Sequence, residues 1–275
     1  TQKGKCFWMR VYEIPEGSRT TKGRAIQNLI NIEQDDRVKA FICTQDLKDE
    51  EYINSHYVIM ATKKGQVKKT SLEKYSRPRA NGINGITIKD GDELLEARLT
   101  NGNSQILLAV KSGKAIRFEE SKTRPMGRSA SGVRGITLAN EQDEVVGMVA
   151  VNDMDANILV VSENGFGKRS SLDDYRTTNR GGKGVKTISV TEKTGALVTL
   201  KSVTDLDDLM IINKSGIAIR MAVSDLRVMG RATQGVKLIN IKGNDSIAAV
   251  AKTMKDDEEV EDVSDIDVEN GTIIE

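Results

Sequence analysis

The amino-acid sequence predicts an all-β, propeller-like domain built from one tandemly repeated four-strand unit. Two observations predict it. An apolar run followed by a glycine turn recurs at intervals of about 48 to 52 residues, and a second glycine follows each turn at a nearly constant distance. One such unit is too small to bury its own hydrophobic face, so neighbouring sheets must stack. Radial closure is the usual solution because it leaves only short, protected sheet edges.

The first half of each unit has the pattern of a β-hairpin. The apolar runs YVIMAT, ILLAV, ILVVS and LMIIN precede turn glycines at Gly65, Gly113, Gly165 and Gly216. Each glycine is followed by a short apolar and basic stretch, and alternation on both sides of a turn residue indicates two strands. The stretches that come next, SLEKY, SLDDY and VSDLR, fit a single helical turn.

The second half of each unit begins at a second glycine. These glycines lie 17 residues after the first of the turn glycines and 19 residues after the others, at Gly82, Gly132, Gly184 and Gly235. Each opens an alternating strand, which an acidic or polar turn joins to a further apolar strand. The unit is therefore strand, turn, strand, long loop, strand, turn, strand.

The repeat predicts a single domain over residues 1–254. Its units are expected at about 1–56, 57–104, 105–156, 157–208 and 209–254. The first unit has Gly4 and Gly23 at the right spacing but no apolar run before Gly4, so we expect the chain to begin inside a unit. Residues 255–275 are expected to form an acidic, disordered tail.

Composition excludes several classes of protein. Two cysteines, Cys6 and Cys43, and one histidine, His56, make neither a disulfide framework nor a zinc site. No apolar run approaches the roughly 20 residues that span a bilayer, and no signal peptide opens the sequence. We therefore expect a cytoplasmic protein with no membrane partner. A single histidine leaves no convincing nucleophile–base pair, so we expect no catalytic residue and no bound metal.

A few residues of chemical interest have a structural interpretation. His56 is expected at the entrance of a strand, and Cys43 is expected as a small buried residue at the end of an apolar strand. Phe7 and Trp8 are interpreted as core residues instead of a platform for stacked bases.

The net charge of +1 hides a strong asymmetry along the chain. Residues 255–275 hold ten acidic side chains and one lysine, so residues 1–254 carry 40 basic side chains against 30 acidic ones. A basic body with an acidic tail is typical of a nucleic-acid-binding protein that carries its own competitor. A solubilising tail on an ordinary domain is the alternative.

Basic side chains recur at fixed places in the units. Four residues after the turn glycines stand Lys69, Arg117, Arg169 and Arg220, and Arg10 lies six residues after Gly4. The long loops carry Arg19, Lys22, Arg24, Arg77, Arg79, Arg124, Arg128, Arg180, Lys183, Arg227 and Arg231. Equivalent positions of a propeller lie at the same radius, so we expect a basic belt around its rim. Such a belt suits the phosphate backbone of duplex DNA, which it would bind without reading sequence. A merely solvated charged face is the alternative.

One long loop, residues 179–184, reads NRGGKG. Its glycines Gly181, Gly182 and Gly184 would let the backbone approach a phosphate and offer N–H donors, while Arg180 and Lys183 supply charge. A glycine-rich connection between blades is the structural alternative. The loop is not a nucleotide-binding P-loop, because the sequence lacks the G-x-x-x-x-G-K-[ST] motif.

Several longer stretches resemble a known family. RVYEIPEG (10–17), GRAIQNLI (23–30), QVKKTSLEKY (66–75), RPMGRSASGVRGI (124–136), NGFGKRSSLDDY (164–175) and MGRATQGVKLI (229–239) resemble the C-terminal domain of bacterial DNA gyrase A. The likeness runs in the same order over nearly the whole chain.

The resemblance implies a six-bladed β-pinwheel, a propeller-like disc of four-stranded blades that exchange strands, with about five blades here and the first largely missing. It implies bending and wrapping of duplex DNA in support of negative supercoiling. The implied partners are double-stranded DNA, the N-terminal part of gyrase A and the gyrase B protein. No cofactor is expected in this chain, since the ATP and magnesium of the family are used elsewhere in the intact enzyme.

Two alternatives remain open. The family's signature box, Q-R-R-G-G-(K/R)-G, belongs to the first blade, most of which would precede Thr1, while residues 180–184 match its last five positions in a later blade. The chain therefore also resembles the corresponding C-terminal domain of topoisomerase IV, which lacks the box and binds DNA without strong wrapping. A propeller-type protein-interaction module would instead predict aromatic or apolar patches on the rim.

Overall fold

The structure is a computed structural model that describes residues 1–18, 22–241, 243 and 245–254. The acidic segment 255–275 and Arg19 lie outside the described residues. Within the described part the chain forms one α-helix, α1 (Glu50–Ser55), and short 3-10 turns, while all other regular structure is β. No helix in these residues is long and apolar enough to cross a membrane.

Seventeen strands follow one another in the described residues. They are β1 (Lys5–Cys6), β2 (Tyr57–Thr62), β3 (Gln66–Ser71), β4 (Ile83–Asn84), β5 (Leu94–Thr100), β6 (Gln105–Val110), β7 (Lys114–Glu119), β8 (Val133–Arg134), β9 (Val145–Val151), β10 (Asn157–Ser162), β11 (Phe166–Ser171), β12 (Val185–Lys186), β13 (Leu197–Val203), β14 (Asp207–Asn213), β15 (Ala218–Ala222), β16 (Val236–Lys237) and β17 (Ile247–Met254). The single helical turns predicted after the second strand are 3-10 turns at Leu72–Tyr75, Leu172–Asp174 and Val223–Asp225.

The blades are antiparallel sheets that share strands between units. Three are four-stranded, in the orders β5-β2-β3-β8, β9-β6-β7-β12 and β13-β10-β11-β16, and a three-stranded sheet follows in the order β17-β14-β15. The fourth strand of each four-stranded sheet comes from the next unit of the sequence, as β8 does when it pairs with β3. The all-β fold of four-stranded, strand-exchanging blades is therefore confirmed, and each shared strand ties two units together.

Glycine is required where the exchanged strand begins. Gly132 and Gly184 have φ values of +90° and +70°, in the left-handed region that disfavours a side chain. A Cβ on Gly132 would stand 2.7 Å from the Val67 carbonyl oxygen, and one on Gly184 would stand 2.6 Å from the Ala115 carbonyl oxygen. The recurrent second glycine of the sequence thus lets the long loop turn tightly onto the preceding blade.

The hydrophobic core lies between adjacent blades. One buried cluster joins Leu107 of β6 and Val149 of β9 to Ile158 of β10 and Leu197 of β13. The last strands of successive units, β5, β9, β13 and β17, lie side by side at the inner ends of the sheets. Stacking of neighbouring units, which the small size of one unit predicts, is therefore what buries the apolar faces.

The first unit is less regular than the others. Its strand β1 pairs only with β4, and Val11, Tyr12 and Phe41 are exposed. Trp8 packs against a buried cluster and donates its indole N–H to the Tyr75 carbonyl, in agreement with its interpretation as core. The expectation of a buried Cys43 is wrong, because the segment around it forms no strand and leaves the thiol exposed.

Candidate nucleic-acid interface

The long loop of each unit lies along the outer strands of the preceding blade. Met126 N–H donates to the Lys69 carbonyl at 2.8 Å, Thr178 N–H to that of Arg117 at 2.9 Å, and Met229 N–H to that of Arg169 at 2.8 Å. Because β5, β9, β13 and β17 occupy the inner positions, these loops cover the opposite, outer edge of the blades. The basic residues of the loops are thereby brought to the rim.

Three of the four basic residues predicted on the second strands do not face solvent. Lys69, Arg117 and Arg169 are 4, 7 and 6% exposed, so their expected place on an exposed DNA-binding belt is wrong. The Arg117 guanidinium donates to the Leu172 and Tyr175 carbonyls at 2.9 and 3.2 Å, and Arg169 donates to the Leu226 carbonyl and to Asp205. These side chains hold the 3-10 turn of the next unit against the blade. Arg220 of the last sheet is more exposed and pairs with Asp208 at 2.7 Å.

Exposed or half-buried basic side chains recur at three places counted from the second glycine in the last three units, at Gly132, Gly184 and Gly235. Eight residues before it stand Arg124, Arg176 and Arg227, which are exposed. Four residues before it stand Arg128, Arg180 and Arg231, which are half-buried. Two residues after it, on the exchanged strands, stand Arg134, Lys186 and Lys237, which are exposed. We call these nine residues the rim ladder.

Four members of the rim ladder were missed by sequence reasoning, namely Arg176, Arg134, Lys186 and Lys237. Their constant distance from the second glycine is a signal that the sequence does contain. Counting from the turn glycine instead directs attention to the cations of the second strands, of which Lys69, Arg117 and Arg169 are buried.

Hydrogen bonds connect the rim ladder from one blade to the next. Arg180 donates from Nε to the Lys122 carbonyl at 3.0 Å and from Nη1 to the Arg134 carbonyl at 3.1 Å. In the next unit, Arg231 donates from Nε to the Asp174 carbonyl at 2.9 Å and from Nη1 to the Lys186 carbonyl at 2.7 Å. A guanidinium has five N–H donors, so each arginine is held in place with donors left over for a ligand.

The glycine-rich loop at 179–184 contributes charge, but the N–H group of Gly181 already has a partner within the domain. The Gly181 N–H donates to the Gly135 carbonyl at 2.6 Å, and the Gly181 and Gly182 carbonyls accept from Thr137. The expectation that Gly181 offers its N–H to a phosphate is therefore wrong, because that N–H is hydrogen-bonded to the preceding unit. Lys183 is exposed next to Gly182.

The first two units carry their exposed cations in a different arrangement. Arg79 and Arg128, from neighbouring units, line the same shallow cavity of about 340 Å³ together with Asn84. Arg77, two residues before Arg79, is exposed. In the first unit, Arg10, Lys22 and Arg24 are exposed, with the Arg10 guanidinium 5.8 Å from the centre of the Tyr12 ring. The structure thus continues a basic surface through the second unit but not in the ladder geometry.

Comparison with known proteins agrees with this architecture. A family model described as the DNA gyrase C-terminal domain, beta-propeller, matches residues 1–45, 56–101, 105–152, 156–204 and 207–254. The DNA gyrase A protein of Chlamydia muridarum (strain MoPn / Nigg) is 42% identical over 277 residues, which cover 100% of this chain and 32% of that protein. The DNA gyrase A protein of Staphylococcus aureus (strain MRSA252) is 43% identical over 275 residues, with 99% and 30% covered. The chain therefore spans about a third of the length of these relatives.

Two solved structures have the same fold. The C-terminal domain of DNA topoisomerase IV superposes with a TM-score of 0.82 at 25% identity, covering 92% of this chain and 77% of the other. The DNA gyrase A C-terminal domain superposes with a TM-score of 0.77 at 24% identity, covering 92% and 80%. Five matched repeats, strand-exchanging blades and whole-length identity above 40% to gyrase A proteins together establish that the chain belongs to the DNA gyrase C-terminal domain family of β-propellers.

Proposed function

We propose that this domain binds duplex DNA along the rim ladder, without sequence specificity, and bends it around the disc. The observation that carries the proposal is the recurrence of exposed or half-buried cations at three equivalent places in three consecutive units, linked from blade to blade by the Arg180 and Arg231 guanidinium groups. Duplex DNA presents a phosphate charge every ~1.7 Å of helix axis, so cations that recur from unit to unit suit its backbone. Backbone contacts of this kind position DNA without reading its bases.

A curved rim requires curved DNA. Bending a duplex by 40–90° over 20–30 base pairs costs on the order of 1–6 kcal/mol, and many simultaneous Lys and Arg contacts that release counterions offset this cost. The wider role follows from the relatives named as DNA gyrase A proteins. The domain would wrap DNA for a type II topoisomerase that introduces negative supercoils with ATP, acting with the rest of gyrase A and with the gyrase B protein. The cofactors ATP and magnesium would bind outside this domain.

Binding is tested by measuring duplex affinity over a series of salt concentrations. The affinity is expected to fall linearly on a log–log scale, with little dependence on sequence, because each neutralised phosphate releases counterions. An affinity that hardly changes between low and moderate salt would contradict a phosphate-binding rim.

Wrapping is tested separately on relaxed closed circular DNA. The protein is bound, a topoisomerase relaxes the circle, and the linking number is read after the protein is removed. Wrapping is expected to shift the linking number in proportion to the protein added. Deleting residues 255–275 is expected to increase this shift, because the ten carboxylates compete with DNA for the basic surface.

A second candidate function is DNA binding with little wrapping. The observation that favours it is the TM-score of 0.82 to the topoisomerase IV C-terminal domain. This candidate predicts the same salt dependence of binding with no shift in linking number, so the two assays together separate the candidates.

A further inference from the structure

Two buried lysines bind the backbone of two loops that carry residues of the rim ladder. Lys68 of β3 and Lys168 of β11 occupy the same strand position, three residues after the turn glycine, and both are 0% exposed. Their ammonium groups bind backbone carbonyl oxygens of the loop that crosses the blade. An ammonium buried in this way is costly unless its donors are satisfied, so these contacts decide where the loop backbone lies.

Each lysine binds the backbone carbonyl at the same position of its own loop. Lys168 Nζ donates to the Gly230 carbonyl at 2.6 Å, to Thr233 Oγ1 at 3.1 Å and to the carbonyl of Arg231. Lys68 Nζ donates to the Arg128 carbonyl at 2.5 Å and to the Gly85 carbonyl at 2.6 Å. In both blades the lysine therefore binds the main chain of the rim-ladder arginine that lies four residues before the second glycine.

The blade between them lacks this contact. Ile116 of β7 stands at the position of the two lysines, under the loop that carries Arg180. Gly182 approaches it so closely that a Cβ there would stand 3.4 Å from the Ile116 Cδ1 atom. Since the Ile116 side chain is buried and its blade keeps four strands, this fold does not need a lysine at the position in order to form.

We infer that Lys68 and Lys168 are positioning residues of the DNA interface, each fixing the main chain of Arg128 or Arg231 so that its guanidinium is held ready for a phosphate. The inference rests on the proposed function. It explains why a costly buried cation occurs where isoleucine suffices for folding, and why both lysines bind the same carbonyl of an interface residue. The rim ladder then alternates between loops held by a lysine and the glycine-rich loop, which packs on isoleucine.

The test is a double-mutant cycle with DNA binding as the readout. Duplex affinity and its salt dependence are measured at pH 7 for the wild type, Lys168→Met, Arg231→Gln and the double variant. Lys168→Met is expected to lower affinity about three- to tenfold, as for one or two misplaced surface charge contacts, and to make the salt dependence less steep. In the Arg231→Gln background the same change is expected to have almost no further effect, since the arginine it positions is gone. Ile116→Met, at the same strand position, is the matched control and should bind as the wild type does.

Equal losses from Lys168→Met in both backgrounds would overturn the inference, as would an unchanged salt dependence with Lys168→Met. If Lys168→Met does not stay folded at the assay temperature, Lys68→Met paired with Arg128→Gln provides the same cycle with fewer contacts removed. Failure of the proposed function has a different signature. In that case Arg124→Gln, Arg176→Gln and Arg227→Gln would also bind DNA as tightly as the wild type.

Discussion

The Lys69 ammonium and the Glu120 carboxylate lie 2.9 Å apart inside the domain, across the boundary between two units. Glu120 is fully buried and also accepts from Thr100 Oγ1 at 2.7 Å and from the Ser104 N–H at 3.2 Å. The Lys69 ammonium stands 4.1 Å from the centre of the Tyr57 ring. In the next blade the same place is taken by Arg117, which donates to the carbonyl of Leu172. The pair is therefore one local form of a contact that recurs from blade to blade.

Replacing only Glu120 of this pair is expected to destabilise the domain more than replacing both residues. Glu120→Leu leaves the Lys69 charge buried without its partner and should lower the free energy of unfolding by about 3–5 kcal/mol. The double change Lys69→Met with Glu120→Leu should cost much less, because leucine already occupies the equivalent position at Leu172 and no charge is left behind. Urea unfolding of the wild type and the two variants measures both values. A double variant as unstable as Glu120→Leu would contradict this account of the pair.

The second glycine is expected to tolerate no side chain. Gly184→Ala places a Cβ 2.6 Å from the Ala115 carbonyl oxygen at a φ of +70°, and it should destabilise the domain by about 1–3 kcal/mol. Gly127→Ala is the matched control in a neighbouring loop, since a Cβ there meets no atom within 4 Å. Thermal unfolding of both variants tests the prediction. Equal melting temperatures for the two would remove the steric explanation of the repeat.

The sequence is sufficient to predict the unit and insufficient to predict the direction of its charged side chains. Turn glycines and alternating runs indicate the strands, because those patterns depend on local backbone geometry. Sequence reasoning places Lys69 and Arg169 on the rim because cations are usually exposed. Their burial depends on carbonyl and carboxylate acceptors from another unit, some 50 residues away in sequence, at Glu120 and Leu226. No local pattern reports such acceptors.

The exposed part of the interface is only partly predictable for a related reason. The sequence draws attention to Arg180 with Gly181 because glycine-rich loops often bind phosphate, yet the Gly181 N–H serves the preceding unit. Arg176 and Lys186 lie outside the glycine-rich stretch, but each has a basic residue at the equivalent position of two further units. The loop is anchored at the second glycine, so the distance of a residue from that glycine decides whether its side chain is exposed.

Arg176 is expected to contact DNA although it lies outside the glycine-rich stretch of its loop. Arg176→Gln should weaken duplex binding and reduce the slope of log affinity against log salt by about 1, the value for one lost phosphate contact. Lys48→Gln, an exposed cation in the first unit outside the rim ladder, is the control and should leave the slope unchanged. Binding titrations at several salt concentrations decide between them. The same loss of slope from both variants would argue for diffuse attraction by net charge and against a defined ladder.

Lys68 and Lys168 are expected to make stability depend on pH in the alkaline range. Burial lowers the pKa of both side chains from 10.5 to about 8. The positive charge of Arg128 lowers the pKa of Lys68 further. At Lys168, Asp174 opposes the effect of burial, while Arg231 and Lys186 add to it. Between about pH 8 and pH 10.5 each lysine is protonated in the unfolded chain and largely deprotonated in the folded domain. The unfolded chain then binds more protons than the folded chain, so the free energy of unfolding rises with pH. The melting temperature of the wild type, relative to that of the Lys68→Met and Lys168→Met variants, should therefore increase from pH 7.5 to pH 10. Buried Tyr75 and Tyr175, whose pKa is raised to about 12, are present in all three proteins and cancel in the comparison. A difference in melting temperature that stays constant over this range would show that both lysines keep their protons in the folded domain.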